Sequence, residues 1–200
     1  MSSISARVPF PKRLKEYTSK AHQELEELPL SKAILDPNLQ LSEYLLYLDL
    51  MHDVHLAMEQ SVFPVLTSEI PDIAQRKKTH LLNNDFRALG FAKIKPRAMV
   101  DFWEKSYSKS FAMGMLYVIE GSTLGGKVIF SHVQKNLALD AESGASYFSG
   151  YAAQTGLFWK RFIAELTAYE EKSVEGEEII SGANHAFSQI KQHFIAYSHF

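Results

Sequence analysis

Lys15, His22 and Glu26 stand at intervals of seven and four residues. On a helix, seven residues are almost two turns, so Lys15 and His22 point the same way, roughly 10 Å apart along the axis. Glu26 lies one turn further on, where it can hydrogen-bond one ring nitrogen of His22 directly or through water. A neutral imidazole with its second nitrogen engaged in this way is suited to ligate a metal. The commoner use of a histidine is a partly buried ring satisfied by a neighbour, so the pattern needs a second element to carry meaning.

That element is the stretch from Leu116 to Ile129, which holds Gly121, Gly125 and Gly126 between apolar flanks at helical spacing. Each glycine costs a helix about 1 kcal/mol against alanine. Without a Cβ the backbone can approach something flat and large, or the helix can bend. The expectation is a kinked helix lying against a planar ligand; close helix packing is the alternative. Ser122 and Thr123 can bond back to helical carbonyls or hold ordered water. Glu120 inside the apolar run either faces solvent, the commoner outcome, or is buried and needs a partner. Tyr117, one turn before Gly121, is a core residue or a donor to a ligand carboxylate. Lys160 and Arg161 follow Trp159 on an amphipathic segment, where they form a solvated face or close over a carboxylate. Haem would use this set, with iron on His22 and propionates near Lys15. A second metal reading, from His52, His55 and Glu59, is weaker. A ferritin-like di-iron site wants two Glu-x-x-His pairs, and only Asp49-x-x-His52 is present.

The elements that must position these residues follow from periodicity. Residues 1–9 read as a loose lead-in. Pro11 fits the first turn of a helix whose apolar face is Leu14, Tyr17, Ala21, Leu25 and Leu28, ended by Pro29. Asp36-Pro37-Asn38 is a turn, and Ser42 caps a buried helix over 44–63. Further helices are expected over 72–89, closed by Gly90, over 96–107, over 110–139, over 155–171 and over 177–197, with 142–150 a loop. Gly182 weakens the last of these. No alternating strand pattern occurs, so the fold class is all-α, one domain over 1–200.

The chain has 200 residues, 46% hydrophobic and 22% charged, with a net charge of -2 and no cysteine. That charge offers no footprint for nucleic acid. The lack of cysteine excludes disulfides, thiolate ligands and thiol nucleophiles. The N-terminus carries no long apolar run, so neither a signal peptide nor a membrane span is expected, and a cytoplasmic protein is the default.

The two motifs, Arg13-Leu14-Lys15-x-x-Thr18-x-x-x-His22-x-x-x-Glu26 and Leu116-Tyr117-Val118-Ile119-Glu120-Gly121-Ser122-Thr123-Leu124-Gly125-Gly126, together resemble the bacterial haem oxygenases. The likeness is greatest to the branch found beside bacterial phytochromes and in iron acquisition. The resemblance implies an all-α fold with haem b, both substrate and cofactor, between a proximal and a distal helix. It implies His22 as the iron ligand, Gly121, Ser122, Gly125 and Gly126 as the distal wall, and Lys15 and Tyr117 near the propionates. Lys160 or Arg161 matches the family's C-terminal basic residues loosely. The implied reaction uses O2 and electrons to yield biliverdin, CO and ferrous iron. Mammalian members carry an aspartate where this chain has Ser122, so water on the distal side must be held differently. No flavin or nicotinamide motif is present, so electrons come from a separate ferredoxin or reductase. Biliverdin could feed a phytochrome pathway. The alternatives are a haem- or bilin-binding protein without turnover, a relative hydrolysing thiamine pyrimidines, which would need a cysteine, and a helical scaffold.

Overall fold

The computed structural model describes residues 8–93, 97 and 107–198. The expected lead-in up to residue 7, and the helix expected over 96–107 apart from Arg97 and Tyr107, lie outside them.

The described residues are helical throughout, without strands. Helix α1 runs Phe10–Glu26, α2 Pro29–Ala33, α3 Leu41–Ala57, α4 Thr79–Ala88, α5 Lys109–Leu137, α6 Ser146–Ser149, α7 Thr155–Ser173 and α8 Gly176–Tyr197. Pro11 takes the expected place in the first turn of α1. Tyr17 departs from the expected apolar face: it is 62% exposed, and the buried line is Phe10, Leu14 and Thr18. Helix α1 ends before Pro29, which then opens α2 as a first-turn proline. Proline serves both purposes, stopping one helix and starting the next.

Helix α3 is capped by Gln40 rather than Ser42, with the Gln40 amide donating to Glu43 Oε2 at 2.8 Å. Its end loosens into a π turn, Met58–Val62, and a 3-10 turn, Phe63–Leu66, around Pro64. The single helix expected over 72–89 is two pieces, a 3-10 turn Ile73–Arg76 and α4. The break has a cause. Glu59 Oε1 accepts the amides of Lys78 and Thr79 at 2.7 and 2.8 Å, which starts α4 there. Gly90, at φ +64°, closes α4 as expected.

Helix α5 passes through all three glycines as one helix of 29 residues. It crosses α8 very closely. A Cβ at Gly114 would lie 1.9 Å from the Ile179 carbonyl oxygen, and one at Gly182 would lie 2.0 Å from that of Phe111. Gly182 is therefore a packing requirement of α8, not a weakness. Helices α1 and α5 each pack on α8 far more extensively than on one another. The expected loop over 142–150 contains α6, held by the buried Asp85 carboxylate, which accepts the amides of Ser146 and Tyr147 at 2.7 and 2.8 Å. Burial pushes Asp85 up to about 6.

One exposed position is strained. Val174 ends α7 at φ 60° while 74% exposed. A β-branched residue in the left-handed region costs roughly 1–2 kcal/mol and glycine costs nothing there. Val174→Gly should raise the melting temperature by about 2–4 °C for a stabilisation of about 1 kcal/mol. A calorimetric scan checks this.

Candidate functional site

Helices α1 and α5 meet where the Tyr117 hydroxyl reaches Thr18. Thr18 is buried and donates to the Leu14 carbonyl at 2.7 Å. The next turn of α1 carries His22, and the next turn of α5 carries Gly121. Tyr117 also packs against Trp159 of α7, ring centres 5.7 Å apart. Burial raises the Tyr117 phenol, with the Thr18 contact opposing, so it stays protonated.

His22 has the geometry that its spacing suggested. Its Nδ1 lies 3.4 Å from Glu26 Oε2, and its side chain is 55% exposed. The ring meets Phe187 of α8 edge-on, with centres 5.5 Å apart and planes at 81°. These two contacts hold the ring, and Nε2 has no hydrogen-bond partner among the described residues. Lys15 is exposed on the same stripe and holds no salt bridge among the described residues.

The three glycines do three different things. A Cβ at Gly121 would sit 3.8 Å from the Trp159 ring. Gly126 is buried against α6, its Cβ position 3.4 Å from the Phe148 carbonyl. Gly125 is exposed, and a Cβ there would meet nothing within 4 Å. Helix packing explains Gly114 and Gly182 but not Gly125. Tyr117, Gly121, Leu124, Gly125 and Val128 form one face of α5, on which Leu124 and Val128 are 43% and 64% exposed. An open apolar strip with a glycine at its centre is a fit for a flat ligand.

Ser122 and Thr123 bond back to the carbonyls of Ile119 and Glu120 at 2.7 and 2.6 Å. Glu120 does not face solvent. It is fully buried and paired with Arg76 and Lys78, which are buried as well. Tyr151 donates to Glu120 Oε1 at 2.7 Å, and Lys78 donates to Tyr151 at 2.8 Å. Arg76 also donates to Asp72 Oδ1 at 2.7 Å. This network pins the turn of α5 just before Gly121. Burial holds the Lys78 amine below its usual range.

Lys160 and Arg161 are exposed on α7 and make no hydrogen bond or ion pair to α1 or α5. The alternative metal set is dispersed among structural roles. His52 pairs with Asn83 at 3.1 Å, His55 with Tyr147 at 2.9 Å, and Glu59 caps α4. Asp49 is engaged by Lys93 and Arg97, each at 2.6 Å. No group of three potential ligands occurs among the described residues.

The haem oxygenase family model matches residues 8–196. The chain belongs to the haem oxygenase family. It is 28% identical over 179 residues to haem oxygenase PigA of Pseudomonas aeruginosa, covering 88% of this chain and 87% of that protein. Among solved structures, the NO- and CO-bound haem oxygenase of Neisseria meningitidis is 27% identical at a TM-score of 0.79, covering 95% of this chain and 92% of that one. The haem complex of haem oxygenase-1 from the cyanobacterium Synechocystis shares the fold at 18% identity and a TM-score of 0.74. Membership in the haem oxygenase family and the shared all-α fold agree with the expectation from the two motifs. No helix among the described residues is long and apolar enough to cross a membrane.

Contacts of α5 that sequence reasoning missed are Trp159 beside Gly121 and the partners of Glu120.

Proposed function

We propose that this haem oxygenase binds haem b between the His22 face of α1 and the Gly121–Gly125 face of α5, and opens the ring to biliverdin, CO and ferrous iron. The observation that carries the site is Gly125, a glycine without a packing reason among the described residues, on an exposed apolar strip, with the Nε2 of His22 on the neighbouring helix unpartnered among those residues. Haem supplies a redox-active iron that binds O2 and a ring that is itself oxidised.

The chain's residues then have separable tasks. His22 would ligate iron through Nε2, and Glu26 would accept the Nδ1 proton, which orients the ring and raises its basicity as a ligand. A neutral imidazole lacks the electron push of a thiolate. Gly121 and Gly125, lacking a Cβ, would let the backbone of α5 approach the other haem face closely. Ser122, in place of an aspartate, takes part in holding water there. Lys15 and Tyr117 stand at the end where the helices meet and pin the propionates, so they bear on which bridging carbon is attacked. One of Lys160 and Arg161 closes over the outer carboxylate. Electrons come from a separate ferredoxin or reductase, and the product either supplies a phytochrome pathway or simply marks iron release. Reaction in the cytoplasm fits this dependence on soluble donors. A binding protein without turnover has no observation in its favour.

Gly125→Val tests the site. The space around Gly125 is open, so the variant should fold with stability within about 1 kcal/mol of wild type. The isopropyl group would occupy the distal face. Turnover should fall at least about ten-fold while hemin affinity changes far less. Full turnover in this variant would remove Gly125 from the site.

A further inference from the structure

The last torsion of a histidine side chain is broad, so α1 alone does not fix the plane of the His22 ring. The two neighbours of that ring differ in what they can fix. Glu26 stands on the same helix, 3.4 Å from Nδ1, beyond the usual hydrogen-bond range of about 2.7–3.2 Å. Both side chains are more than half exposed, so the carboxylate can follow the ring as it turns. Phe187 cannot follow. It is 6% exposed, belongs to the hydrophobic core, and meets the imidazole edge-on at 81°. Turning the imidazole about its last bond would lose this edge-on arrangement, which aromatic pairs favour, or press one ring into the other.

The place of Phe187 is held from two sides. Helices α1 and α8 run parallel in a nearly constant register. Arg13 donates to Glu177 at 3.0 Å, Asn184 donates to the Tyr17 carbonyl at 3.4 Å, and Lys191 donates to Glu24 at 2.7 Å, in pairs 164 to 167 residues apart. His22 and Phe187 fall within that register. On the other side, Gly182 of α8 lies against the backbone of α5, its Cβ position 2.0 Å from the Phe111 carbonyl oxygen. Helix α8 is thus the common reference for α1 and α5.

We propose that Phe187 is a positioning residue for the iron ligand: it sets the plane of the His22 ring, while Glu26 sets the ring's protonation and basicity. This rests on the reading of His22 as the ligand. An imidazole donates π density only perpendicular to its plane, so the direction of the plane fixes the in-plane electronic anisotropy of an iron bound to it. A core aromatic on the helix shared by both walls holds that direction constant, which an exposed carboxylate does not.

Ring dynamics and haem electronic structure both read this role. In the haem-free protein, 13C relaxation of the His22 ring should give an order parameter of about 0.85 in wild type and below about 0.6 in Phe187→Leu, with Phe187→Tyr close to wild type. A wild-type value below about 0.6 would overturn the proposal without any variant. In the ferric hemin–cyanide complex, Phe187→Leu should reorder the haem methyl NMR shifts, which follow the direction of the axial imidazole plane, and Phe187→Tyr should restore the wild-type order. Glu26→Gln should leave that order unchanged and shift the iron–histidine stretching frequency of the ferrous complex instead. Wild-type methyl shifts in Phe187→Leu, or a larger reordering in Glu26→Gln, would reduce Phe187 to core packing. If His22→Ala gives the same haem spectrum as wild type, the ligand reading fails, and the haem-free order parameters still decide whether Phe187 holds the ring.

Discussion

Replacing His22 by alanine should abolish the spectrum of a histidine-ligated ferric haem and lower turnover by more than about 100-fold. The magnitude follows from a comparison: loss of an outer partner of a metal ligand costs 10–100-fold, and here the ligand itself is lost. The fold should be untouched. His22 is largely exposed, its polar contact is Glu26 on the same helix, and such surface changes stay within about 0.5 kcal/mol. Added imidazole should partly restore the spectrum, because the substitution opens a space of that shape. Glu26→Gln should fall between the two, near ten-fold, since the amide can still accept the Nδ1 proton but holds the ring less firmly. An unchanged Soret band and rate in His22→Ala would place the ligand elsewhere.

Glu120→Ala should lower stability severely. It leaves the Arg76 guanidinium and the Lys78 amine buried without the carboxylate that both share. Removing one partner of a buried ion pair costs about 3–5 kcal/mol. Asp72 and the Phe158 carbonyl still hold Arg76 and Tyr151 still holds Lys78, which favours the lower end. A loss of about 3 kcal/mol corresponds to a fall of roughly 6–12 °C in melting temperature for a chain of this size. Urea denaturation of the haem-free protein measures it directly. A change below about 1 kcal/mol would mean that the network is solvated and does not fix α5. Because Glu120 immediately precedes Gly121, the same substitution should lower turnover even in the fraction that remains folded.

The parts of this molecule that were legible in the sequence are those whose partners lie within a turn or two. His22 and Glu26 share one helix, and Gly121, Gly125 and Gly126 interrupt one apolar run, so periodicity alone was sufficient to single them out. Gly90 and Pro11 carry local backbone meaning and closed or opened the helices as expected. What periodicity could not reach are partners distant in the chain. Glu120 meets Arg76 across 44 residues, and burial of a glutamate cannot be inferred without knowing its cations. Helix α6 exists because Asp85, 61 residues earlier, holds its first amide. The break before α4 depends on Glu59, 19 residues away. Gly114 and Gly182 are each explained only by the other helix of their crossing. Gly126 illustrates the limit within a motif: its sequence neighbours suggested the ligand wall, while its contact is the backbone of α6.

As a haem oxygenase, this chain should consume haem and not only hold it. One equivalent of hemin is added to the full chain, the spectrum is recorded, and an electron donor is supplied in air with catalase present. A Soret band that decays while a biliverdin absorption grows and ferrous iron is released is the predicted result. A Soret band that persists under a competent donor would contradict the claim and leave a haem-binding protein with the fold of the family.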